Sequence, residues 1–244
     1  MAVAGAAGRM GQAVCAAVEG AEDLELVGGA DPLLGTALAQ LLGDAEVVVD
    51  FTRPDVALEN ALACVQAGVH VVIGTTGFDP APLERARRPR GRPANVFFAP
   101  NFAIGAVLMM RFCAEAARHM ERAEIIELHH EGKLDAPSGT ALATAERMAK
   151  ARGEEWEGPK GESLEGVRGG DVQGIRIHSV RLPGLVAHQE VIFGGVGQTL
   201  TIRHDSMQRV SFMPGVILAI KEVIRRPGVT VGLEPLLGLD EVGL

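Results

Sequence analysis

The sequence predicts an α/β protein with two domains, and three observations support this prediction. In the first half of the chain, short apolar runs alternate with helical segments, which is typical of a parallel, doubly wound sheet. In the second half, strand-like runs follow one another with turn glycines between them, which indicates an open mixed or antiparallel sheet. The 244 residues, 47% of them apolar, are enough to build two cores.

The first half alternates between strands and helices from its start. The first predicted strand is Ala2–Ala4, and a glycine-rich turn then leads into a helix from about Arg9 to Val18. Further strands are predicted in DLELVGGAD, AEVVVDFT, VHVVIGTTG and ANVFFAPNFAIG, and a helix in PDVALENALACVQAG. Ligands bind parallel sheets beyond the carboxyl ends of the strands. Several small polar residues follow these strands and are candidate contacts: Thr52, Thr75, Thr76 and Asn101.

The glycine-rich turn is a candidate dinucleotide site. Gly5, Gly8 and Gly11 recur every three residues between the first strand and the first helix. Such a turn brings the N–H groups at a helix start close to a pyrophosphate. The spacing is GxxGxxG and not GxGxxG, so a tight turn without a ligand is the alternative. Asp31, twenty residues after Gly11, can accept hydrogen bonds from a ribose diol, which favours a Rossmann-type dinucleotide-binding domain.

The second half predicts an α+β domain. Residues 104–120 have helical spacing, with Val107, Leu108 and Phe112 on the expected buried stripe and Met109 and Met110 as core or interface fillers. Strands are predicted in AEIIELHH, GIRIHSVRLPG, HQEVIFGG and QTLTIRHD, and a helix in TALATAERMAKARG. The segment 158–174 is predicted to be a mobile loop, and 213–226 a helix whose tail packs back on the first domain.

These patterns predict the domain boundaries. Residues 1–103, joined by the C-terminal segment 214–244, form the dinucleotide-binding domain, and residues 104–213 form a substrate-binding and oligomerisation domain built on an open mixed sheet.

The stretch ELHHEGKLDAPSGTA, from Glu127 to Ala141, carries the residue types of an anion site that moves a proton. His129 is suited to proton transfer near neutral pH, and Lys133 attracts carboxylates. Ser138 precedes a helix start, where hydroxyl and N–H groups hold anions. A structural histidine, a solvated lysine and a plain helix cap are the alternatives. A metal site is disfavoured, because adjacent strand residues face opposite ways and no third ligand is evident.

Composition excludes several other classes. The net charge of −8 argues against nucleic-acid binding, and the basic run 85–93 is predicted to be a solvated loop. Cys15, Cys64 and Cys113 have no metal or redox spacing, so we expect packing thiols and a cytoplasmic protein. No apolar run approaches the roughly 18 residues of a membrane span.

Five motifs in order, GAAGRMG, VVDFTRP, VIGTTGF, FAPNFAIG and EIIELHHEGKLDAPSGTA, resemble the dihydrodipicolinate reductase family of bacterial lysine and diaminopimelate synthesis. The resemblance covers nearly the whole chain, including IHSVRLPG and LTIRHDS, and the last of the five motifs is the most specific. It implies NADH- or NADPH-dependent reduction of the cyclic imine 4-hydroxy-tetrahydrodipicolinate, or dihydrodipicolinate, to tetrahydrodipicolinate. It also implies a cytoplasmic homotetramer.

The resemblance assigns roles to particular residues. His129 is implied as the proton donor and Lys133 as a second donor that contacts substrate. The implied substrate carboxylate contacts are His130, Ser138, Gly139 and Thr140. The implied cofactor contacts are Gly5, Ala6, Ala7, Gly8, Arg9, Met10, Asp31, Gly74, Thr75, Thr76, Ala99, Pro100, Asn101 and Phe102.

The choice of cofactor depends on the residues around Asp31. Some members of the family carry an arginine after this acid, where this chain has Pro32. A carboxylate without that arginine repels a 2′-phosphate, so NADH is favoured. Arg9 leaves NADPH use open. Two rival functions also stay open, an aldehyde dehydrogenase with a Rossmann domain and a dinucleotide sensor without catalysis.

Overall fold

A computed structural model describes residues 1–86, 93–154, 156–158 and 161–239. The described residues form two compact units: Met1–Ile104 with a C-terminal segment that begins at Arg209, and Gly105–Gln208. The functions assigned above to 1–103 with 214–244 and to 104–213 stay predictions. Residues 87–92 of the predicted basic loop and 240–244 of the C-terminal segment lie outside the described residues.

The strands are β1 Ala2–Ala4, β2 Gly28–Ala30, β3 Val47–Asp50, β4 His70–Ile73, β5 Val96–Phe98, β6 Arg122–His129, β7 Gly170–Val172, β8 Ile175–Arg181, β9 Ala187–Gly195, β10 Gln198–Ser206 and β11 Val229–Val231. The helices are α1 Arg9–Glu19, α2 Pro54–Ala67, α3 Ala81–Ala86, α4 Ile104–Ala117, α5 Gly139–Arg152 and α6 Met213–Val223.

The first unit is built on a sheet whose paired strands are all parallel, in the order β11-β5-β4-β3-β1-β2. Strands β1, β3 and β4 are buried on both faces, as in doubly wound folds. Val48 and Val71 share a core with Ala61 of α2, while Val49 and Val72 are buried on the other face. The chain passes from β1 to β2 on one side and then to β3 on the other. The carboxyl ends of β1 and β3 therefore border the point where ligands bind such sheets.

This sheet differs from the prediction in the length of one strand and in the number of strands. The strand expected over DLELVGGAD spans only Gly28–Ala30, because its partner β1 offers just Ala2–Ala4 for pairing. The C-terminal tail adds β11, which pairs in parallel with β5. Asn95 also joins this tail to the sheet, since its Nδ2 donates to the Val223 carbonyl at 2.8 Å.

The second unit is built on a mixed sheet in the order β10-β9-β6-β8-β7. Strands β6 and β8 are parallel and the other pairs antiparallel, which confirms the predicted mixed sheet. The loop prediction is wrong for Gly170–Val172, which form the edge strand β7. The stripe predicted for α4 is also wrong at Phe112, which is 53% exposed, whereas Met109 and Met110 are buried as expected.

One face of this second sheet packs against α5. Ile125 and Ile177 point to that face and are buried, and Gln189 of β9 donates to Thr144 of α5 at 2.8 Å. Side chains alternate along β6, so Glu127 lies on the same face as Ile125. A carboxylate thus occupies a buried position on the face that packs against α5, between Ser179 of β8 and Gln189 of β9. Within the described ranges, no helix is both long enough and apolar enough to span a bilayer.

Candidate active site

The predicted cofactor residues follow the carboxyl ends of β1, β2, β4 and β5 in the first unit. The turn after β1 requires glycine for steric reasons. Gly5 has φ +78°, and a Cβ there would lie 2.7 Å from the Phe51 carbonyl oxygen. A Cβ on Gly11 would overlap the backbone of Gly5. The glycine spacing therefore serves the tight packing of strand, turn and helix.

The N-terminus of α1 is suited to a phosphate. Its N-cap is Gly8, which makes no side-chain cap hydrogen bond, and its first turn carries no acidic residue. The helix itself therefore supplies no acidic side chain to neutralise the positive end of its dipole and its first N–H groups. These residues fit the pyrophosphate of a dinucleotide.

Asp31 is anchored at the edge of the same turn. Its Oδ2 accepts the N–H of Ala7 at 3.2 Å, and its Oδ1 accepts the N–H of Leu33 at 2.9 Å. Pro32 directly follows and begins a short 3₁₀ helix, Pro32–Leu34. The carboxylate is therefore fixed next to the glycine turn, where a ribose would follow a bound pyrophosphate.

Asp50 is a residue of this edge to which sequence reasoning gave no role. It is fully buried at the end of β3, and its Oδ1 accepts the Thr52 hydroxyl at 2.7 Å and the Thr75 hydroxyl at 3.0 Å. Its Oδ2 accepts Nδ2 of Asn60 at 2.8 Å. Asp50 thus joins the loops after β3 and β4. An acidic residue ending an apolar strand was the available signal.

Aromatic packing fixes the remaining segments. A Cβ on Gly74 would overlap the ring of Phe51, so only glycine fits there. Phe51 in turn packs against the buried Phe102, with ring centroids 5.7 Å apart. Asn101 Oδ1 accepts the Ala103 N–H at 2.9 Å, and the side chains of Thr76 and Pro100 are exposed.

The buried carboxylate of Glu127 is the centre of a polar cluster in the second unit. Its Oε2 lies 2.5 Å from Nδ1 of His129 and accepts Nη1 of Arg181 at 2.9 Å. Its Oε1 accepts Nη2 of Arg181 at 2.8 Å and the N–H of Ser138 at 3.2 Å. A fully buried carboxylate is tolerated only with such partners.

Two opposing effects act on the pKa of Glu127. Burial raises the pKa, but hydrogen bonds from His129, Arg181 and Ser179 lower it more, from 4.5 to about 2. The ionised carboxylate can only accept hydrogen bonds, so the hydrogen shared with His129 belongs to Nδ1. Nε2 of His129 is then the nitrogen able to exchange a proton with a bound molecule.

Lys133 lies in the loop that follows β6. Its Nζ is 2.8 Å from both carboxylate oxygens of Asp135, and this bond lowers the pKa of Asp135. The backbone N–H of Lys133 donates to the carbonyl of His130, which closes a turn just after His129. The turn places an imidazole and an ammonium in one short loop.

The loop ends at the N-terminus of α5. Ser138 is its buried N-cap, and its hydroxyl accepts the Ala141 N–H at 3.2 Å. The first turn, with Gly139 and Thr140, carries no acidic residue, so its positive end is suited to a carboxylate. Of the predicted catalytic and substrate residues, His129 and Ser138 bind Glu127 directly, and the others lie in the same segment of the chain.

Arg181 was not predicted from the sequence. It follows Glu127 by 54 residues, and only the parallel register of β6 and β8, which pairs His129 with Arg181, brings the two strands' ends together. Among the described residues, no group of three or more His, Cys, Asp or Glu side chains is arranged to hold a metal ion.

Sequence profiles of one family cover both units. The profile described as "Dihydrodipicolinate reductase, N-terminus" matches residues 1–102, and "Dihydrodipicolinate reductase, C-terminus" matches residues 105–237. The 4-hydroxy-tetrahydrodipicolinate reductase of Nocardia farcinica is 55% identical over 97% of this chain and 98% of its own. The enzyme of that name from Cutibacterium acnes is 52% identical over 98% and 99%.

Solved structures give the same result. A dipicolinate-bound dihydrodipicolinate reductase from Paenisporosarcina sp. TG-14 has a TM-score of 0.84 at 41% identity, covering 96% of this chain and 97% of that one. A probable dehydrogenase from Thermotoga maritima has a TM-score of 0.60 at 14% identity over 98% and 92%, and shares the fold alone.

The parallel sheet with its glycine turn, joined to a mixed-sheet unit with a histidine and lysine cluster, defines an oxidoreductase of the Rossmann type. The family profiles and relatives narrow this class further. The chain belongs to the dihydrodipicolinate reductase family.

The low pKa of Glu127 makes stability depend on acid pH. A carboxyl at 4.5 in the unfolded chain and about 2 in the folded one stabilises the fold fully above about pH 4.5. This stabilisation, up to about 3 kcal/mol, is lost as the pH falls towards 2. The free energy of unfolding, measured with urea from pH 6 to 2.5, should fall less steeply for Glu127→Gln than for the wild type. Glu131→Gln, on the exposed loop, should keep the wild-type slope. Equal slopes for all three proteins would exclude Glu127 as the source of the acid dependence.

Proposed function

We propose that this chain reduces 4-hydroxy-tetrahydrodipicolinate, or the dihydrodipicolinate formed from it by loss of water, to tetrahydrodipicolinate in diaminopimelate and lysine synthesis. The observation that carries the proposal is one buried carboxylate, Glu127, that binds Nδ1 of His129 and the N–H of Ser138 at the start of α5, with Lys133 in the loop between these two residues. The names of relatives at 55% and 52% identity support the same reaction.

The substrate is a dicarboxylate, and the loop after β6 offers it an imidazole, an ammonium and the N-terminus of α5. We assign its carboxylates to the Lys133 ammonium, to His130 and to the first turn of α5, Ser138–Thr140. The structure with bound dipicolinate supports a ligand of this chemistry. Lys133 already holds the exposed Asp135, so a substrate carboxylate competes with that side chain for the ammonium.

Reduction requires a hydride and a proton. The reduced nicotinamide, when bound at the carboxyl edge of the first sheet, supplies the hydride to the ring double bond conjugated with the imine. His129 delivers the proton from Nε2, because Nδ1 is held by Glu127. Lys133 is the second donor and stabilises the negative charge that develops as the hydride arrives.

The two rival functions fit the chain less well. An aldehyde dehydrogenase that forms an acyl-enzyme needs a reactive thiolate. Burial raises the pKa of the Cys64 and Cys113 thiols to about 12, so neither suits that role. A dinucleotide sensor has no need of a histidine held by a buried carboxylate.

Several assignments stay predictions. These are the cytoplasmic location, which rests on three cysteines without disulfides, and the lack of nucleic-acid binding, which rests on the net charge of −8. The cofactor contacts proposed for the first unit also belong here, including Arg9 and Met10 at the start of α1.

Activity should be measured by the loss of NADH absorbance with the cyclic imine made in situ. His129→Gln should lower kcat by roughly 10²- to 10⁴-fold, because it removes the proton donor and leaves the sheet intact. Lys133→Met should lower kcat and raise the substrate KM. His119→Gln, an exposed change just after α4, is the control. A wild-type kcat for His129→Gln would overturn the assignment of His129 as proton donor. If Lys133→Met changed only the affinity for NADH, the assignment of Lys133 to the substrate would be wrong.

We expect NADH to be used with a higher kcat/KM than NADPH, because Asp31 is fixed beside the glycine turn and Pro32 offers no positive charge. Asp31→Asn keeps the size of the side chain and removes its charge. The kcat/KM for NADH divided by that for NADPH should then fall on the order of tenfold, because the Asp31 carboxylate no longer repels the 2′-phosphate of NADPH. A wild-type preference for NADPH would contradict the expected use of NADH. An unchanged ratio in Asp31→Asn would exclude Asp31 as the cause of the preference.

We propose a homotetramer assembled through the sheet face opposite α5. On that face Ile126, Leu128 and Ile192 are half-buried, among ion pairs such as His178 with Glu124 at 2.8 Å. Apolar residues ringed by charged pairs are typical of subunit interfaces. Sedimentation equilibrium should give about four times 25.6 kDa, and Ile126→Glu should lower the mass. A monomeric wild-type protein would exclude the assembly.

A further inference from the structure

Arg181 is a cation at the end of β8, and all of its hydrogen-bond donors are engaged within the protein. A guanidinium has five N–H groups. Its Nη1 and Nη2 donate to the two oxygens of Glu127 at 2.9 and 2.8 Å. Its remaining donors reach three backbone carbonyls, those of Lys133 at 3.3 Å, Asp135 at 2.6 Å and Val180 at 2.8 Å.

This inventory leaves Arg181 without a donor for a substrate carboxylate. Its bonds instead join β8 to the buried carboxylate on β6 and to the loop that carries Lys133. The planar fork is needed for this geometry, because a lysine ammonium can neither bind Glu127 through two parallel bonds nor reach both loop carbonyls.

We propose that Glu127 and Arg181 are a positioning pair for the proton-transfer step, an inference that rests on the reductase function proposed above. Glu127 fixes the ring orientation of His129 and keeps its Nδ1 protonated, so that the proton leaves from Nε2. Arg181 binds both oxygens of Glu127, and it holds the backbone carbonyls of Lys133 and Asp135 so that imidazole and ammonium address one bound molecule. Neither member of the pair touches substrate.

The pair predicts a particular pattern of losses. Glu127→Gln should lower kcat by about 10²-fold, as a misplaced catalytic group does, and leave the substrate KM close to the wild-type value. Arg181→Met should lower kcat by a similar factor and also raise the substrate KM, because it releases the Lys133 loop. The NADH dissociation constant, measured by calorimetry, should not change for either variant.

The decisive experiment repeats both substitutions in a His129→Gln background. If Glu127 acts through His129, then Glu127→Gln should cause no further loss of kcat in the His129→Gln background. Arg181→Met should still cause the part of its loss of kcat that arises from the released Lys133 loop. A merely structural role would lower activity by the same factor in both backgrounds, and that result would overturn the proposal.

Matched controls separate positioning from stability. Glu115→Gln and Arg118→Met remove an exposed pair at the C-terminal end of α4, 3.5 Å apart in the same unit, and should leave kcat unchanged. Thermal melting of every variant gives the folded fraction, to which kcat is referred. Should Arg181→Met not fold, Arg181→Lys takes its place and must still lose kcat, since lysine lacks the fork. An active wild type with unaffected Glu127 and Arg181 variants would refute the pair alone, while an inactive wild type would refute the proposed function.

Discussion

The second unit is organised around one buried negative charge, the carboxylate of Glu127. A fully buried carboxylate destabilises the fold unless hydrogen-bond donors converge on it, and in this unit they come from three separate segments: His129 on the same strand, Ser138 at the start of α5 and Arg181 at the end of β8. Meeting the needs of this one group therefore fixes how the strand, the helix and the loop between them are arranged. The predicted catalytic residues lie on those segments.

The first unit contains a buried carboxylate with a different set of partners. Asp50 accepts hydrogen bonds from two threonine hydroxyls, a side-chain amide and a backbone N–H, all of them neutral donors. Such donors satisfy the carboxylate and hold the loops after β3 and β4 together. Glu127 instead takes an arginine, whose remaining donors also bind the loop that carries Lys133.

Much of the fold follows from local patterns, and the sites follow only in part. Strand and helix periodicity is local, so the parallel sheet, the mixed sheet and α5 with its Ser138 cap could be predicted. The strands Gly170–Val172 and Val229–Val231 were missed, and each of these short edge strands is defined by its pairing with a neighbouring strand. The same limit applies to Arg181, which meets Glu127 through the order and register of strands far apart in sequence.

The direction of proton transfer is the property that this arrangement controls most directly. Nδ1 of His129 faces the ionised Glu127 and keeps its hydrogen, so a neutral ring offers a lone pair on Nε2 and can take up a proton only there. When Nε2 has taken up that proton, the positive charge of the ring lies against the carboxylate, and the same nitrogen can give the proton away. Hydrogen bonds from His129 and Arg181 together keep the carboxylate ionised for this cycle. A cation that binds no substrate can in this way support the group that orients the proton donor.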